Sequence, residues 1–364
     1  MNSGNDSGFA PALLAWFDVH GRKDLPWQHP TDPYRVWVSE IMLQQTQVTT
    51  VIPYFQRFMA RFANVAALAA APVDDVLELW AGLGYYARAR NLHRSARMVM
   101  EQHAGSFPVD IEALRELPGI GRSTAGAILA QAFEQREPIL DGNVKRVLTR
   151  YYAIEGWPGN SAVERELWEL ADAATPTARV RDYTQAIMDL GATLCTRTKP
   201  DCAHCPLAPD CIARRENRAS AYPEKKPRAR KPERSVTVLL LHDASGAVLL
   251  QRRPPTGIWG GLWSLPELPT ELPKDEIDAW CHEQLGLSII GELHAEPSLR
   301  HEFTHFSLTI EPLRALAGTL SAGAGRLMEG PDRVWYNARL PSAHGMAAPI
   351  RRLIERSQRS QQSI

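Results

Sequence analysis

The chain has 364 residues, room for two domains of ordinary size with a core in each. At 44% hydrophobic and 23% charged it has a globular composition, which excludes a disordered chain. Its formal net charge of +0 excludes a protein that binds nucleic acid through bulk charge. The charge is unevenly spread: residues 1–213 carry 20 basic and 24 acidic groups, residues 214–234 carry 9 and 3, and residues 235–364 carry 12 and 14. Any phosphate contact has to come from local patches and backbone donors. No apolar run approaches the roughly 18 residues of a membrane span. The polar start lacks the basic and apolar regions of a secretory signal, so a cytoplasmic protein with no membrane partner is expected.

The first 213 residues read as helical. Apolar residues recur at three- and four-residue spacing over Pro53–Phe62, Asp74–Trp80, Ala87–Met100, Ser123–Phe133 and Val163–Ala173, with Pro and Gly between them. Asp32-Pro33 opens a further helix, with Asp as its cap and Pro in its first turn. Residues 214–234 form a basic linker with Pro223, Pro227 and Pro232. Beyond it the texture changes. Val236–His242 and Ala247–Gln251 read as strands joined by a turn at Asp243–Gly246, Phe303–Ile310 as a third strand, and Asp275–Leu285 as a helix. The expected organisation is an all-α domain over 1–213, the linker, an α+β domain over 235–355, and a tail over 356–364.

Three patterns in the helical part carry chemistry. The first is Leu117-Pro118-Gly119-Ile120-Gly121-Arg122, a tight glycine turn between two helices. Gly119 and Gly121 let the backbone approach a ligand, and the amides of the turn and of the next helix form an anion site that needs no basic side chain. The second is Asp141, twenty residues after Gly121, in Leu140-Asp141-Gly142-Asn143; it is placed to cap the following helix, a role compatible with catalysis. The third is Cys195, Cys202, Cys205 and Cys211, spaced C-x6-C-x2-C-x5-C. Without an export signal they suggest a metal site rather than disulfides. Zinc and an iron–sulfur cluster both accept four cysteines, and the spacing leaves both open. Glu40 adds a lone acid on an apolar stripe, with Val36, Trp37 and Leu43 around it. Burial there raises a carboxyl pKa, which suits a general acid near neutral pH.

Taken together, Leu117–Ala125, Asp141 and the cysteine pattern resemble the helix-hairpin-helix DNA glycosylases that carry a 4Fe–4S cluster. Three features favour the adenine-removing, MutY-type branch over the endonuclease III branch. Ser123 stands where the latter has its Schiff-base lysine, Val38–Gln47 matches the adenine branch including Glu40, and a C-terminal extension is present. The resemblance implies removal of adenine opposite 8-oxoguanine or guanine in double-stranded DNA by a monofunctional enzyme. It implies Glu40 as general acid, Asp141 as the carboxylate that stabilises the sugar cation, and one 4Fe–4S cluster on the four cysteines. It places the adenine pocket around Trp27, Leu43, Gln185 and Glu40, and implies Ser123 and Asn143 as further substrate-binding residues. It places DNA contacts at Gln45, Thr46, Leu83, Tyr85, Gly119 and Gly121. A monomer, associated with the nucleoid through its substrate, is expected.

Residues 235–355 resemble a Nudix-type domain. Gly261–Glu267 match the G-x5-E opening of the family's catalytic box, but Ala279 and Trp280 stand where acids should follow, and neither can ligate Mg²⁺. The resemblance implies a hydrolase fold reused to read 8-oxoguanine, through Phe303-Thr304-His305 in place of the family's Phe-Ser-His. A nucleotide pyrophosphatase, a bifunctional abasic-site lyase and a non-catalytic iron–sulfur DNA-binding module are the rival readings. Ala279 and Trp280, Ser123, and the Glu40–Asp141 pair argue against them in turn.

Overall fold

A computed structural model describes residues 8–226, 231–254, 256–303, 305–319, 332–337 and 344–361. Thr304, residues 227–230 of the linker and residues 362–364 of the tail lie outside them. The chain divides into two compact units: Met1–Ala71 with Arg90–Arg228, and Pro72–Ala89 with Ala229–Ile364.

Among its described residues the first unit is built of helices and loops. Its helices are α1 (Phe9–His20), α2 (Pro33–Leu43), α3 (Val48–Arg61), α4 (Val65–Ala70), most of α6 (Ala87–Gln102), α7 (Ile111–Glu116), α8 (Arg122–Phe133), α9 (Gly142–Tyr152), α10 (Ser161–Ala174), α11 (Val180–Thr193) and α12 (Ile212–Arg215). The local reasons are legible. Asp32 caps α2 by accepting from the Arg35 amide at 3.1 Å, with Pro33 in the first turn. One core gathers Leu13 and Phe17 of α1, Val144 and Leu148 of α9, Leu167 of α10 and Ile187 and Leu190 of α11. Cys195, Cys205 and Cys211 pack against its edge.

The second unit is α+β. Its strands are β1 (Glu233–His242), β2 (Val248–Arg252), β3 (Trp263–Ser264), β4 (Leu287–Ala295), β5 (Leu299–Glu302), β6 (Ser307–Thr319) and β7 (Arg333–Tyr336). The sheet order is β3-β2-β1-β6-β4, with β5 on β6 and β7 on β2, and β1 runs parallel to β6. Helices α13 (Ile277–Leu285) and α14 (Ala348–Gln361) belong to this unit, as does α5 (Val73–Leu79), which precedes it in the chain by some 150 residues. The β1–β2 turn is set by Asp243, whose Oδ1 accepts from the amides of Ser245 and Ala247.

The third expected strand is different. Phe303, His305 and Phe306 lie between β5 and β6, where the Phe303 amide donates to the Phe306 carbonyl at 2.9 Å. The alternation Phe303-Thr304-His305-Phe306-Ser307-Leu308 mimics a strand because no Gly or Pro marks the reversal. The linker is also more structured than its charge suggests. Tyr222 is buried and its carbonyl accepts from Arg150 Nε at 3.0 Å, while Glu224 accepts from the Gly156 amide at 2.8 Å.

Candidate active site

Helix α2 delivers Glu40 into the helical unit. Its Oε1 accepts from Gln131 Nε2 at 2.9 Å. Burial pushes the Glu40 carboxyl up to about 7; the Gln131 hydrogen bond opposes this, and the charge of Asp141 adds to the rise. Gln131 is a lone buried polar residue in the apolar run of α8, and sequence reasoning missed it although that isolation is a visible signal. Its backbone carbonyl accepts from Arg181 Nε at 2.7 Å.

Asp141 stands at the N-terminus of α9. Its Oδ1 accepts from the amides of Asn143 and Val144 at 3.0 and 2.8 Å. The Asn143 side chain reaches Oδ2 at 3.4 Å and accepts in turn from Arg146 Nη2 at 2.8 Å. Burial raises the Asp141 pKa, against the two amides, Arg146 and the Asn143 side chain, all of which favour the anion. Ser123 Oγ accepts from the Leu140 amide at 2.9 Å and so fixes the segment just before Asp141. The two carboxyls therefore interact, one with a neutral amide donor and the other with a helix end aimed at it.

A cavity of about 330 Å³ opens next to Gln131, within the range of small-ligand pockets, roughly 300–1,000 Å³. Trp27, Gln185, Val36, Gln131, His29 and Arg181 are among its walls. Trp27 and Gln185, named from the sequence, thus line it. Glu40 stands one hydrogen bond behind the wall, and Leu43 is half-buried at the end of α2, outside the lining. Gln185 Nε2 donates to Asp189 Oδ1 at 2.7 Å. Asp189 is 1% exposed and also accepts from Arg22 through its amide, Nε and Nη2 at 2.7, 2.8 and 2.6 Å. That network turns the Gln185 NH₂ inward and leaves its carbonyl oxygen as the acceptor.

The candidate DNA contacts fall on turns. Gln45 is exposed with φ 60 beyond α2, and the Thr46 amide closes that turn on the Leu43 carbonyl. Gln44 Nε2 reaches the Gly119 carbonyl at 3.4 Å, tying this turn to the hairpin. Gly119 has φ 86, a conformation that strains any other residue, and a Cβ there would meet Asn91 Cβ at a tight 3.1 Å. Gly121 caps α8 with ordinary φ −89 and open space where a side chain would be; its amides lack a side-chain cap. In the second unit Tyr85 is 46% exposed with φ 49, whereas Leu83 is buried beneath the turn. Phe303 stacks on Phe306 with ring centroids 4.4 Å apart, and Trp259 and His301 complete an aromatic group around it. His305 packs edge-on to Phe306 at 4.8 Å. The Nudix-box Glu267 is ion-paired to Arg253, and Asp278 accepts from the Ile289 amide.

All four cysteines of the cluster pattern line one pocket, together with Arg150 and Tyr151 of α9. Burial pushes the Cys205 thiol up to about 11 and raises Cys211, and charge on the other cysteines pushes both the same way. The sulfurs therefore lie within electrostatic reach of one another. Arg150 donates to Cys195 Sγ at 3.3 Å and to the carbonyls of Thr196, Arg197 and Tyr222. Four half-buried sulfurs around an apolar hollow, with a buried guanidinium beside them, fit an anionic group held by four thiolates. Among the described residues no three His, Cys, Asp or Glu are arranged to hold a single metal ion. Lys199 and Arg197 lie exposed on the loop between Cys195 and Cys202.

The chain's class is that of a base-excision DNA repair protein. Residues 38–173 match the model of the HhH-GPD superfamily of base excision DNA repair proteins, and residues 237–356 match the NUDIX domain. The chain superposes on a thermostable thymine-DNA glycosylase with TM-score 0.52 and 27% identity, covering 58% of this chain and 97% of that one. The chain is 38% identical over 349 residues to the adenine DNA glycosylase of Buchnera aphidicola (from Acyrthosiphon pisum), covering 95% of this chain and 97% of the relative. Against the adenine DNA glycosylase of Mus musculus it is 35% identical, covering 84% and 70%. The chain belongs to the adenine DNA glycosylase family, hydrolases that act on N-glycosyl bonds in base excision repair.

Proposed function

We propose that this enzyme removes adenine mispaired with 8-oxoguanine or guanine, with Glu40 and Asp141 as its two catalytic carboxyls. The observation that carries the reading is the pair itself: two buried carboxyls, Glu40 held by Gln131 at the wall of a base-sized cavity and Asp141 held by the amides of a helix start, with the Asp141 charge adding to the rise at Glu40. The target adenine leaves the duplex and enters that cavity, at an unstacking cost of a few kcal/mol. Its amino group donates to the Gln185 carbonyl. Glu40, protonated near neutral pH, gives its proton to adenine N7, so that the base departs neutral. Positive charge then develops on the sugar, and the Asp141 carboxylate faces it. Asn143 and the Val144 amide hold that carboxylate, Ser123 fixes the segment before it through the Leu140 amide, and position 123 offers no amine for a Schiff base, so the enzyme is monofunctional.

The four cysteines hold one 4Fe–4S cluster. All four line one pocket beside the Arg150 guanidinium, which supports an anionic group that four thiolates would hold. When bound, the cluster would supply a structural link between Cys195 and Cys202, which bracket Arg197 and Lys199; Arg150 of α9, the helix that Asp141 begins, donates to Cys195 Sγ and to the carbonyls of Thr196 and Arg197 in that loop. The glycine turn at Gly119 and Gly121 binds a phosphate of double-stranded DNA, Gln45, Thr46 and Tyr85 enter the stack, and Leu83 supports Tyr85 from beneath. The Nudix-like domain reads the opposite base through Phe303, Thr304 and His305. The enzyme acts as a monomer on cytoplasmic, nucleoid DNA, and no helix among the described residues is long and apolar enough to cross a membrane.

Incubating the protein with a duplex containing one 8-oxoguanine·adenine pair, then cleaving with hot alkali, tests this reading. Strand scission at the adenine only after alkali is expected, with no borohydride-trapped adduct. An uncut strand, or scission without alkali, would contradict it.

A further inference from the structure

The segment Pro72–Ala89, which carries α5 and the turn with Tyr85, packs with Ala229–Ile364 rather than with the helices that flank it in sequence. One polar fastening stands out. Asp74, in the first turn of α5, takes a two-pronged ion pair from Arg252 at the end of β2: Nη1 to Oδ1 at 2.9 Å and Nη2 to Oδ2 at 2.6 Å. Both side chains are about three-quarters buried, exposed 24% and 26%. Arg252 is itself held, its guanidinium lying 4.8 Å from the Trp263 ring centroid and its amide donating to the Asp332 carbonyl at 2.8 Å. The Asp332 carboxylate, 3.6 Å from Arg252 Nε and largely exposed, is a weaker second partner. Tyr86 adds a hydrogen bond to the Met346 carbonyl at 3.2 Å.

From α5 to Tyr85 the chain has little freedom. Trp80, fully buried, donates from its indole to the Gly84 carbonyl at 3.1 Å. Arg88 Nη2 donates to the carbonyls of Leu83 and Gly84, both at 3.2 Å, and the Arg88 amide donates to the Tyr85 carbonyl at 2.9 Å. Gly82, Gly84 and Tyr85 all hold positive φ. A bulky residue in the left-handed region persists only where its surroundings over-determine it. Thus a continuous set of packed and hydrogen-bonded groups runs from Arg252 through Asp74 and α5 to the exposed Tyr85 ring.

We propose that the Asp74–Arg252 ion pair is a specificity-determining fastening, which makes the Tyr85 wedge and the Phe303 reading turn parts of one body. The proposal rests on the reading of Tyr85 as a wedge and of the second unit as the reader of the opposite base. With the two fixed together, insertion of Tyr85 is in register only when the reading turn is seated on its base. With the fastening cut, seating of the reading turn on 8-oxoguanine no longer drives Tyr85 into the stack, and insertion there falls toward the level reached opposite guanine. Excision opposite guanine then survives and the preference for 8-oxoguanine shrinks. Neither Asp74 nor Arg252 touches the base in this account; both act by positioning.

The test uses the full chain as wild type, Arg252→Ala, the charge swap Asp74→Arg with Arg252→Asp, and Tyr85→Ala. Single-turnover adenine release is measured opposite 8-oxoguanine and opposite guanine, and insertion is followed by fluorescence of 2-aminopurine placed beside the 8-oxoguanine. Arg252→Ala is expected to lower the preference about tenfold and to reduce the fluorescence rise, with release opposite guanine within about twofold of wild type. The charge swap is expected to restore both readouts. Unchanged preference and fluorescence in Arg252→Ala, while Tyr85→Ala lowers them, would overturn the fastening and leave the wedge reading standing. Unchanged values in Tyr85→Ala would overturn the wedge reading and the proposal with it. Equal losses on both substrates with a lowered melting temperature, unrescued by the swap, would reduce the pair to a structural contact and also overturn it.

Discussion

The two carboxyls of the candidate site show how one fold gives the same functional group two environments. Glu40 comes from mid-helix and meets a single neutral donor, Gln131, so burial dominates and its pKa is pushed up to about 7. Asp141 comes from a helix start and meets two backbone amides, with Asn143 and Arg146 behind them. Burial acts on it too, but four favourable partners oppose the shift. The difference lies in position along a helix rather than in residue type. A mid-helix acid has no free backbone donors within reach, while an N-terminal acid has several.

Removing the charge at the helix start should have the largest effect. Asp141→Asn keeps the cap, since Asn caps about as well as Asp, and stability should change by less than about 1 kcal/mol. Adenine release should fall below detection while mispair binding persists. A folded, active variant would leave Asp141 with capping alone.

Glu40→Gln breaks the other half of the comparison. Loss of the acid should slow release by at least about 10³-fold. It should also alter stability in a pH-dependent way. A carboxyl whose folded pKa is raised destabilises the native state as pH climbs from its ordinary range through the folded value. The variant should therefore equal wild type near pH 4 and exceed it near pH 8, by an amount on the order of 1–3 kcal/mol. Chemical denaturation at the two pH values checks this, and equal differences at both would contradict a buried acid.

Much of this site was legible in the sequence, and the limits have physical causes. The glycine turn, the caps at Asp32 and Asp141 and the cysteine spacing are local, and local chemistry shows in local sequence. Gln131 paired with Glu40 across 91 positions, and Arg22 with Asp189 across 167, are products of packing. Only the isolation of Gln131 among apolar neighbours hinted at the first. The packing of Pro72–Ala89 with the distant α+β unit is likewise non-local, and helical periodicity in α5 reports a buried face without naming what covers it. The turn at Phe303–Phe306 was hidden by an alternation that a strand and a tight aromatic reversal share.

Smaller effects sharpen the contrast further out. Cys202→Ser should lose iron and its brown colour and weaken DNA binding, without changing which base is removed; wild type should hold about four iron per chain and little zinc. A colourless, zinc-loaded, active protein would count against the cluster. Replacing both Phe303 and His305 with Ala in the full chain should cut the preference for 8-oxoguanine over guanine about tenfold and leave release opposite guanine nearly unchanged. Smallest of all, Gln131→Leu removes the one group that pulls the Glu40 pKa down. The pH at which activity falls should move upward, and a downward move would mean that Gln131 favours the neutral acid.

The central claim is that a protonated Glu40 and an ionised Asp141 work together, and the pH dependence of single-turnover adenine release tests it most directly. The pair should titrate with two apparent values. Activity should rise with pH as Asp141 ionises, in a range above that of an ordinary aspartate, and fall again as Glu40 loses its proton near pH 7. Whatever slow release remains in Glu40→Gln should lack the falling limb. A wild-type rate that stays level from about pH 6 to about pH 9, or a falling limb that survives in Glu40→Gln, would contradict the account.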